Sequence, residues 1–353
     1  MRGDSGSVER WHGGVGLRGR RQQDLHDRAR QLARRQFGNR VFVRGVVEVS
    51  NHCREDCAYC GMRRSHRGLN RFRADPDALA DLLLEHWPEF VTDLNIQSGE
   101  DPVALREVVL PLIRRLRRET ALGISVCLGT LDAPAYRALR EAGASLYIMK
   151  FETAGPDRYQ RFRAPGTFEE RLDHIRALAA SGWRVSSGFI AGLPGETGAD
   201  LNAAIDLAAQ LPLDGCSVSP FIPGNESALS GAPAGDLEDT LNVMALLRLR
   251  RPEWVIPAVS ALNILSPRDG YLRGLGTGAN LVTVNLTPGA SRADYLLYRR
   301  DRVIMTSERI RAALTSAGLE PSPISLAAHY AGTPREVSRA AAGTAATEPV
   351  TVG

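Results

Sequence analysis

Three cysteines lie within eight residues of one another. Cys53, Cys57 and Cys60 belong to the segment VEVSNHCREDCAYCGMRR and have the spacing C-x3-C-x2-C. Three thiolates on one short loop can ligate three irons of a [4Fe–4S] cluster and leave the fourth iron open. The amino and carboxylate groups of S-adenosylmethionine (SAM) can chelate an open iron, and an electron from the cluster then cleaves the sulfonium C–S bond. The spacing therefore predicts a source of the 5′-deoxyadenosyl radical, with Tyr59 packed on the adenine.

Zinc binding and chance are the alternatives for this loop. Structural zinc takes four ligands, typically from two separated pairs. His52 could be a fourth ligand, but it adjoins Cys53, and no second pair follows. Five cysteines, an odd and clustered set, indicate metal in a reducing compartment rather than disulfides. The two isolated ones, Cys127 and Cys216, are expected to be small buried apolar residues.

The elements that must position this loop alternate between short β-branched runs and amphipathic helices. Eight strands that alternate with helices predict an α/β protein with a TIM-type (β/α)8 barrel, preceded by one extra helix at 22–40. The helix within 167–182 should begin with a capping box. Composition assigns 1–21 to a disordered arm, 22–334 to the barrel with its preceding helix, and 335–353 to a disordered tail. The predicted strands are 43–50, 92–98, 123–129, 145–151, 184–192, 215–222, 254–262 and 280–286.

Composition limits the classes of protein that the chain can belong to. The hydrophobic fraction of 43% is sufficient for one large core. No run of about 18 apolar residues is present, so no membrane span is expected, and no secretory signal is visible. A cytoplasmic location is therefore predicted. The net charge is only +4, and arginines occur along the whole chain, which favours a solvated surface over a nucleic-acid face.

Residues at the carboxyl ends of the strands form the active site in barrels of this type. The second predicted strand ends in Gln97-Ser98-Gly99-Glu100. Gly99 allows the backbone to turn so that carbonyl groups face an ammonium group, and acidic side chains favour such a group. An ordinary turn is the alternative. We therefore expect these four residues to contact the methionyl amine of SAM.

Two further strand ends carry candidate cofactor ligands. Glu152 follows the fourth strand and could accept hydrogen bonds from both ribose hydroxyls, whereas a surface salt bridge is the alternative. Arg171 lies one turn into the next helix and could bind the SAM carboxylate, or could be an ordinary helix-surface arginine. Gly188 and Gly192 in the fifth strand would allow adenine to lie against the strand edge.

Lys150 is the only lysine in the chain, which otherwise uses arginine for its basic residues. A lysine retained at a barrel mouth suggests a role that arginine fills poorly, because a lysine can donate a proton or shift its pKa on burial. Binding of substrate or SAM is one interpretation. A structural pair with Glu152 is the other.

Residues 41–330 resemble the radical SAM group that contains the [FeFe]-hydrogenase maturation enzyme, 3-methylornithine synthase and biotin synthase. The resemblance implies the roles given above for the SAM ligands. It also implies that Ser260, on the seventh predicted strand, and Asn285, on the eighth, face the substrate. The resemblance depends on SNHCREDCAYCGMRR, LNIQSGEDP, FETAGPDRYQRFRAPGTFEERL, GFIAGLPGET, SPFIPGNESAL and GANLVTVNLTP.

Departures from these families narrow the expected reaction. Biotin synthase holds a second, sacrificial [2Fe–2S] cluster on cysteines inside its barrel, where this chain has Gln97, Ser125 and Ser186. Sulfur insertion is therefore not expected. The hydrogenase maturation enzyme has arginine at the position of Lys150. The residues expected to bind SAM match that enzyme, whereas residues expected to face the substrate differ from it.

The sequence thus predicts an enzyme that rearranges or fragments a small, amino-acid-derived metabolite in a biosynthetic pathway. Its electron donor would be a reductase, a flavodoxin or a ferredoxin. Hydrogenase maturation is the alternative reaction. A nucleic-acid-modifying radical enzyme and a plain iron–sulfur module are alternatives of other classes. The first of these would need a dense basic patch or an RNA-binding domain.

Overall fold

The computed structural model describes residues 14–299 and 302–333. Strands and helices alternate along almost all of this length. The strands are β1 (Arg40–Ser50), β2 (Asp93–Ser98), β3 (Gly123–Cys127), β4 (Leu146–Ile148), β5 (Arg184–Ala191), β6 (Gly215–Pro220), β7 (Leu281–Asn285) and β8 (Glu320–Pro321). The longer helices are α1 (Gly19–Phe37), α2 (Pro76–Glu85), α3 (Leu110–Glu119), α4 (Ala133–Ala142), α5 (Pro156–Arg161), α6 (Phe168–Ala180), α7 (Gly198–Gln210), α8 (Leu237–Arg250), α9 (Gly270–Gly276), α10 (Ser307–Ala317) and α11 (Leu326–Ala331). Shorter helical turns are Gly14–Gly16, Pro102–Ala104, Leu262–Leu265 and Gly289–Arg292, and Leu105–Val109 is a π-helical turn.

The strands form one curled parallel sheet. Its order is β6-β5-β4-β3-β2-β1-β7, and the two-residue strand β8 pairs with the first residues of β1. From β1 to β6 consecutive strands are neighbours, β7 pairs with β1, and helices of the described chain cover the outside, which is the arrangement of a TIM-type barrel. The fold class expected from the sequence is confirmed.

The predicted seventh strand, 254–262, is not a regular strand. Val255 bridges to Gly215 at the start of β6, and Pro257 bridges to Leu281 at the start of β7. Proline has no N–H to donate, so a continuous ladder cannot form through Pro257. The segment still joins β6 to β7, but it ends at residue 258, and Ser260 lies in the following turn instead of on a strand.

Part of the segment 1–21, which the sequence assigns to a disordered arm, is ordered in the structure. Residues 1–13 and 334–353 lie outside the described residues, but the chain from Gly14 onwards is packed against α8. Val15 is buried, and the amide of Asn242 donates hydrogen bonds to the carbonyl groups of Val15 (2.6 Å) and Leu17 (2.9 Å). These partners are more than 200 residues away in sequence, so local composition could not reveal them.

The helix that follows this packed segment differs from its predicted range of 22–40. α1 begins at Gly19 and ends at Phe37, where Gly38 adopts a positive φ of 65°. The main hydrophobic core lies between the sheet and the surrounding helices. Among the helices described, none combines the length and apolar composition needed to cross a membrane.

Candidate active site

The carboxyl ends of the strands enclose a cavity of about 230 Å³. This is the end of the barrel at which enzymes of this fold place their chemistry. Residues from the cysteine loop, from the ends of β2 and β4 and from α6 meet there, although the chain separates them by more than 100 positions. The sequence-predicted residues on its wall are Tyr59, Cys60, Gln97, Ser98, Glu100, Lys150, Glu152 and Arg171.

Arg71 fixes the cysteine loop, which has no regular secondary structure. Its guanidinium group donates hydrogen bonds to the carbonyl oxygens of Asn51 (2.5 Å), Met62 (2.8 Å), Arg63 (2.7 Å) and His66 (3.3 Å). One side chain therefore closes the loop on itself around Cys60. Four carbonyl groups of the loop thus share one donor side chain.

The three thiols lie where burial disfavours their ionised form. Burial raises the pKa of Cys53, raises that of Cys57 well above its usual value, and raises that of Cys60 to about 12. Backbone amides of Glu100 and Met62 donate to the Sγ atoms of Cys53 and Cys60, both at 3.4 Å. Thiolates in this setting need nearby positive charge, which iron supplies on ligation. The loop therefore fits an iron–sulfur cluster.

The arrangement does not favour a single zinc ion. Within residues 14–299 and 302–333, no three histidine, cysteine or carboxylate side chains converge as ligands of one metal ion. A four-iron cluster makes no such demand, because each thiolate binds a separate iron. Cys53, Cys57 and Cys60 remain the predicted cluster ligands.

Gly99 has a packing role that the sequence interpretation did not anticipate. A Cβ atom at this position would lie 2.3 Å from the carbonyl oxygen of His52 and 2.8 Å from Cβ of Cys53. The end of β2 can therefore rest directly on the cysteine loop only because residue 99 has no side chain. Gln97 and Ser98 lie beside it on the cavity wall.

Glu100 is tied to protein partners from two loops and from helix α6. Its carboxylate accepts hydrogen bonds from Nε of Arg54 (3.2 Å) and from the backbone N–H of Thr130 (2.9 Å), and Nη2 of Arg171 lies at 3.5 Å. The side chain is 6% exposed. Glu100 therefore anchors the cavity wall. An ammonium group bound as predicted would have to share a carboxylate oxygen of Glu100 with these donors.

Arg171 is buried, which excludes the helix-surface alternative. Its side chain is 4% exposed, and Nε donates to the hydroxyl of Tyr159 at 3.0 Å. The expected capping box is present: the Thr167 hydroxyl accepts from the backbone of Glu170, whose carboxylate accepts from the backbone of Thr167. Because this box fixes the first turn of α6, it also fixes where the Arg171 guanidinium enters the cavity.

Glu152 adopts a backbone conformation that is unfavourable for a residue with a side chain. Its φ is +65°, and its carbonyl accepts a hydrogen bond from Ile190 N at 2.8 Å. Strained residues of this kind persist where the surroundings hold them, and they concentrate at functional sites. Burial raises the pKa of its carboxyl group, and the nearby charges of Lys150 and Arg171 partly oppose that change.

Gly188 and Gly192 do not lie on the cavity wall. A Cβ atom on Gly188 would lie 2.2 Å from Oγ and 2.5 Å from the carbonyl oxygen of Ser217, and one on Gly192 would lie 2.4 Å from Cα of Gly235. Both glycines are therefore needed for the contact of β5 with neighbouring backbone. Of the predicted fifth-strand segment, it is Ile190 that reaches the cavity.

This packing predicts a measurable cost for Gly188→Ala. We expect the variant to lose about 2 kcal/mol of unfolding free energy, because the Ser217 carbonyl cannot rotate away from the added methyl group. Urea denaturation measures the change. Gly198→Ala is the matched control, since no atom lies within 4 Å of the new methyl group. Equal denaturation midpoints for the two variants would contradict the assignment.

A second cavity, of about 190 Å³, lies deeper in the barrel and contains the predicted substrate residues Lys150, Ser260 and Asn285 on its wall. The two cavities are adjacent. The residues that line both are Gln97, Cys127, Ile148, Lys150, Ser219, Leu297 and Tyr298.

Lys150 lies at this junction as a charged ammonium group. Burial acts to lower its pKa, but Tyr298, Glu152 and Cys127 outweigh burial, so the pKa is raised. Its Nζ donates to the hydroxyl of Ser219 at 3.5 Å. Within the described part of the chain, no carboxylate lies at ion-pair distance from Nζ, so the alternative of a close structural pair with Glu152 is not observed.

The sequence interpretation missed a buried ion pair in the deep cavity. Glu48 on β1 is 1% exposed and receives two hydrogen bonds from Arg302, at 2.8 and 2.7 Å. Arg44, on the same face of β1, lines the cavity as well. The signal was visible: charged residues at 44 and 48 of an apolar strand point to the same side.

The expectation for the isolated cysteines was half right. Cys216 is fully buried in the main core. Cys127 instead lies at the end of β3 on the wall of both cavities, among polar side chains. The strand alternation that places Ile124 and Val126 in the core turns Cys127 inward to the barrel lumen.

The structure combines a parallel barrel, a three-cysteine loop and a polar lumen. This combination is typical of enzymes that bind an iron–sulfur cluster and a cofactor at the carboxyl ends of the strands. Residues 47–208 match the model of the Radical SAM superfamily. The chain is 32% identical over 270 residues to the [FeFe] hydrogenase maturase subunit HydE of Thermotoga maritima, covering 76% of this chain and 77% of the relative. This protein belongs to the radical SAM superfamily, whose enzymes use a [4Fe–4S] cluster and SAM.

Other relatives support the same assignment. The 3-methylornithine synthase of Methanosarcina acetivorans is 26% identical over 308 residues, covering 85% of this chain and 86% of the relative. The crystal structure of methylornithine synthase (PylB) superposes with a TM-score of 0.79 at 23% identity, covering 89% of this chain and 94% of that one. The latter comparison shows the fold alone.

Proposed function

We propose that this enzyme uses the SAM-derived 5′-deoxyadenosyl radical to remove a hydrogen atom from a small, anionic, amino-acid-derived metabolite. Rearrangement or fragmentation of that metabolite would follow. The observation that carries the proposal is the charge of the deep cavity. Lys150 and Arg44 both line it, and neither has a carboxylate at ion-pair distance within the described residues, whereas Arg302 is already paired with Glu48.

Uncompensated positive charge in a confined cavity favours a negatively charged ligand. A carboxylate is the simplest such group in an amino-acid-derived molecule. Burial lowers the pKa of Arg44, which the carboxylate of Asp93 partly opposes, so an anion beside Arg44 would relieve the cost of its burial. Hydroxyl and amide groups on the same wall can orient the rest of a polar metabolite; they belong to Ser217, Ser260, Thr283, Asn285 and Tyr298.

The residues of the outer cavity fit the cofactors. Cys53, Cys57 and Cys60 would hold the cluster. When bound, the cluster and SAM supply the radical that starts the reaction. The side chains assigned to SAM are Tyr59 for adenine, Glu152 for the ribose, Arg171 for the carboxylate, and Gln97, Ser98 and Glu100 for the amine.

The contribution of the chain itself is to hold two reactants side by side. Lys150 lies between the cavities, so an anion bound to its ammonium group is placed next to the outer cavity. The walls around it are buried protein, which limits the access of water to reactive species. The raised pKa of Lys150 supports a role in binding and orienting the substrate and not in proton transfer.

Lys150→Met tests this role. We expect the reconstituted variant to cleave SAM in the absence of substrate within about twofold of the parent enzyme, and to lose roughly 10²-fold in deuterium transfer from substrate to 5′-deoxyadenosine. Lys150→Arg keeps the charge and should retain part of the transfer. The measurement is mass spectrometry of 5′-deoxyadenosine after anaerobic reduction with a panel of deuterated amino acids and their carboxylate derivatives.

The outcomes separate the parts of the proposal. If no 5′-deoxyadenosine forms at all, the radical chemistry is wrong. If it forms but deuterium transfer is unchanged in Lys150→Met, the anion site is wrong. Transfer from an uncharged amide analogue as efficient as from the carboxylate would argue against an anionic substrate in the same way.

Hydrogenase maturation is the second candidate, and the 32% identity to HydE favours it. That role would place an organometallic iron substrate in the deep cavity. Hydrogenase structural and maturation genes beside this gene would support it. Their absence, together with deuterium transfer from an amino-acid derivative, would favour the first proposal.

A further inference from the structure

The segment that surrounds the cysteines is strongly basic. Residues 52–73 contain six arginines and two carboxylates, a net charge of +4. Residues 18–40 carry a larger net charge of +6, with eight arginines and two carboxylates. What distinguishes the segment 52–73 is therefore its position beside the cysteines.

Most of these arginines serve the loop itself. Arg71 closes the loop, Arg73 pairs with Asp101 at 2.7 Å, and Arg63 donates to the carbonyl oxygen of Glu226. Arg64 and Arg67 differ, because both are exposed and neither side chain has a partner within the described residues. Two guanidinium groups next to the cysteine loop are thus free for another molecule.

A neighbouring loop extends this charged surface. The backbone N–H of Ala58 donates to the carbonyl of Phe162 at 2.9 Å, which joins the loop after α5 to the cysteine loop. Arg161 and Arg163 on either side of Phe162 are exposed, and the side chain of Arg163 is 72% exposed, at 3.6 Å from Asp56. We call Arg64, Arg67, Arg161 and Arg163 the basic rim.

We propose that the basic rim is the docking surface for an acidic one-electron carrier protein that reduces the cluster. This proposal rests on the proposed function, which requires an electron for each SAM cleavage. The carrier must approach the cysteine loop closely, because electron transfer rates fall steeply with distance. Arg64 and Arg67 follow Cys60 by four and seven residues in the same loop, and both are exposed, so a carrier bound to the rim would lie close to the cysteines.

The rim suits a transient encounter. Redox partners bind through small interfaces, and complementary charge accelerates their association without requiring a large buried area. The four hydrogen bonds of Arg71 join parts of the loop that bears Arg64 and Arg67. A nucleic acid is the other polyanion to consider. The rim has no exposed aromatic side chain on which a base could stack, and this disfavours single-stranded nucleic acid.

The experiment compares two double variants of the full-length, cluster-loaded protein. Arg64→Glu with Arg67→Glu reverses the charge of the rim. Arg34→Glu with Arg35→Glu makes the same charge change at exposed positions in the last turn of α1, which precedes β1 at the opposite end of the barrel. An acidic flavodoxin is the probe, and its affinity is measured by titration at low salt.

We expect the rim variant to bind flavodoxin roughly tenfold or more weakly than the parent, and the α1 variant to bind within about twofold. The difference should shrink in about 0.5 M salt, because exposed charges are screened there. Flavodoxin-driven formation of 5′-deoxyadenosine should fall in parallel, whereas formation driven by dithionite should be unchanged.

Equal affinity of the two variants for flavodoxin would overturn the proposal. So would a rim variant that loses binding to a transfer RNA or an oligonucleotide while it keeps flavodoxin binding, because the rim would then serve nucleic acid. Binding is measured without turnover, so the result stands even if the proposed radical reaction fails. Iron content and the visible spectrum of each variant verify that the loop has kept its cluster.

Discussion

Replacement of Cys57 by alanine is expected to leave a folded protein that binds almost no iron and forms 5′-deoxyadenosine below detection with dithionite and SAM. The thiol is 8% exposed, and its loss removes one of three predicted iron ligands. The change in packing is small, because Arg71 holds the loop independently of the thiol; the cost in unfolding free energy should be about 1 kcal/mol. Iron analysis, the visible spectrum and product quantification after reconstitution measure the effect.

Cys216→Ala is the matched control. It removes one thiol from a fully buried position in β6, away from the cavity walls, and should keep both the iron content and SAM cleavage. A Cys57→Ala protein that retained four irons and cleaved SAM at the parent rate would remove the cysteine loop from the cofactor site. Equal loss in both variants would indicate a general folding defect instead.

Arg171→Met should have the second largest effect, and on stability as well as on cofactor binding. The substitution leaves the buried carboxylate of Glu100 with one charged partner fewer and the Tyr159 hydroxyl without its donor. Removing one member of a buried ion pair typically costs about 3–5 kcal/mol. We expect a loss at the lower end of that range, since Arg54 still contacts Glu100, together with a rise of roughly tenfold or more in KM for SAM.

Two other variants isolate the cause. Arg176→Met lies on the same helix with a side chain that is 56% exposed, and should change the unfolding free energy by less than about 0.5 kcal/mol. Arg171→Lys preserves the charge but not the planar fork, so it should recover stability more than it recovers KM. If Arg171→Lys restores both fully, the side chain acts as a charge and not as a carboxylate clamp.

Sequence patterns predicted the features that depend on interactions between residues close together in the chain. The capping box of α6 was visible because Thr167 and Glu170 interact across three residues. The cysteine loop could be recognised in the sequence because its three cysteines lie within eight residues. The order of strands followed from the β/α alternation, which leaves neighbours in sequence as neighbours in the barrel.

The parts that could not be predicted depend on distant partners. Glu48 and Arg302 are 254 residues apart, and nothing near either residue indicates the other. Gly188 was assigned to the cofactor because a glycine-rich strand end allows a ligand to approach. The same freedom serves a close contact with Ser217, which the sequence pattern alone does not reveal. The interruption of the predicted strand 254–262 has a local cause, because Pro257 has no N–H group to donate to a neighbouring strand.

The shared wall of the two cavities has a thermodynamic consequence. Seven residues, Lys150 among them, line both the outer cavity, which we assign to SAM, and the deep cavity, which we assign to the substrate. Any shift of these side chains on binding of one molecule changes the free energy of binding of the other. Such coupling is reciprocal, so the factor by which SAM alters the affinity for substrate equals the factor by which substrate alters the affinity for SAM. Measurement of either factor therefore determines the other.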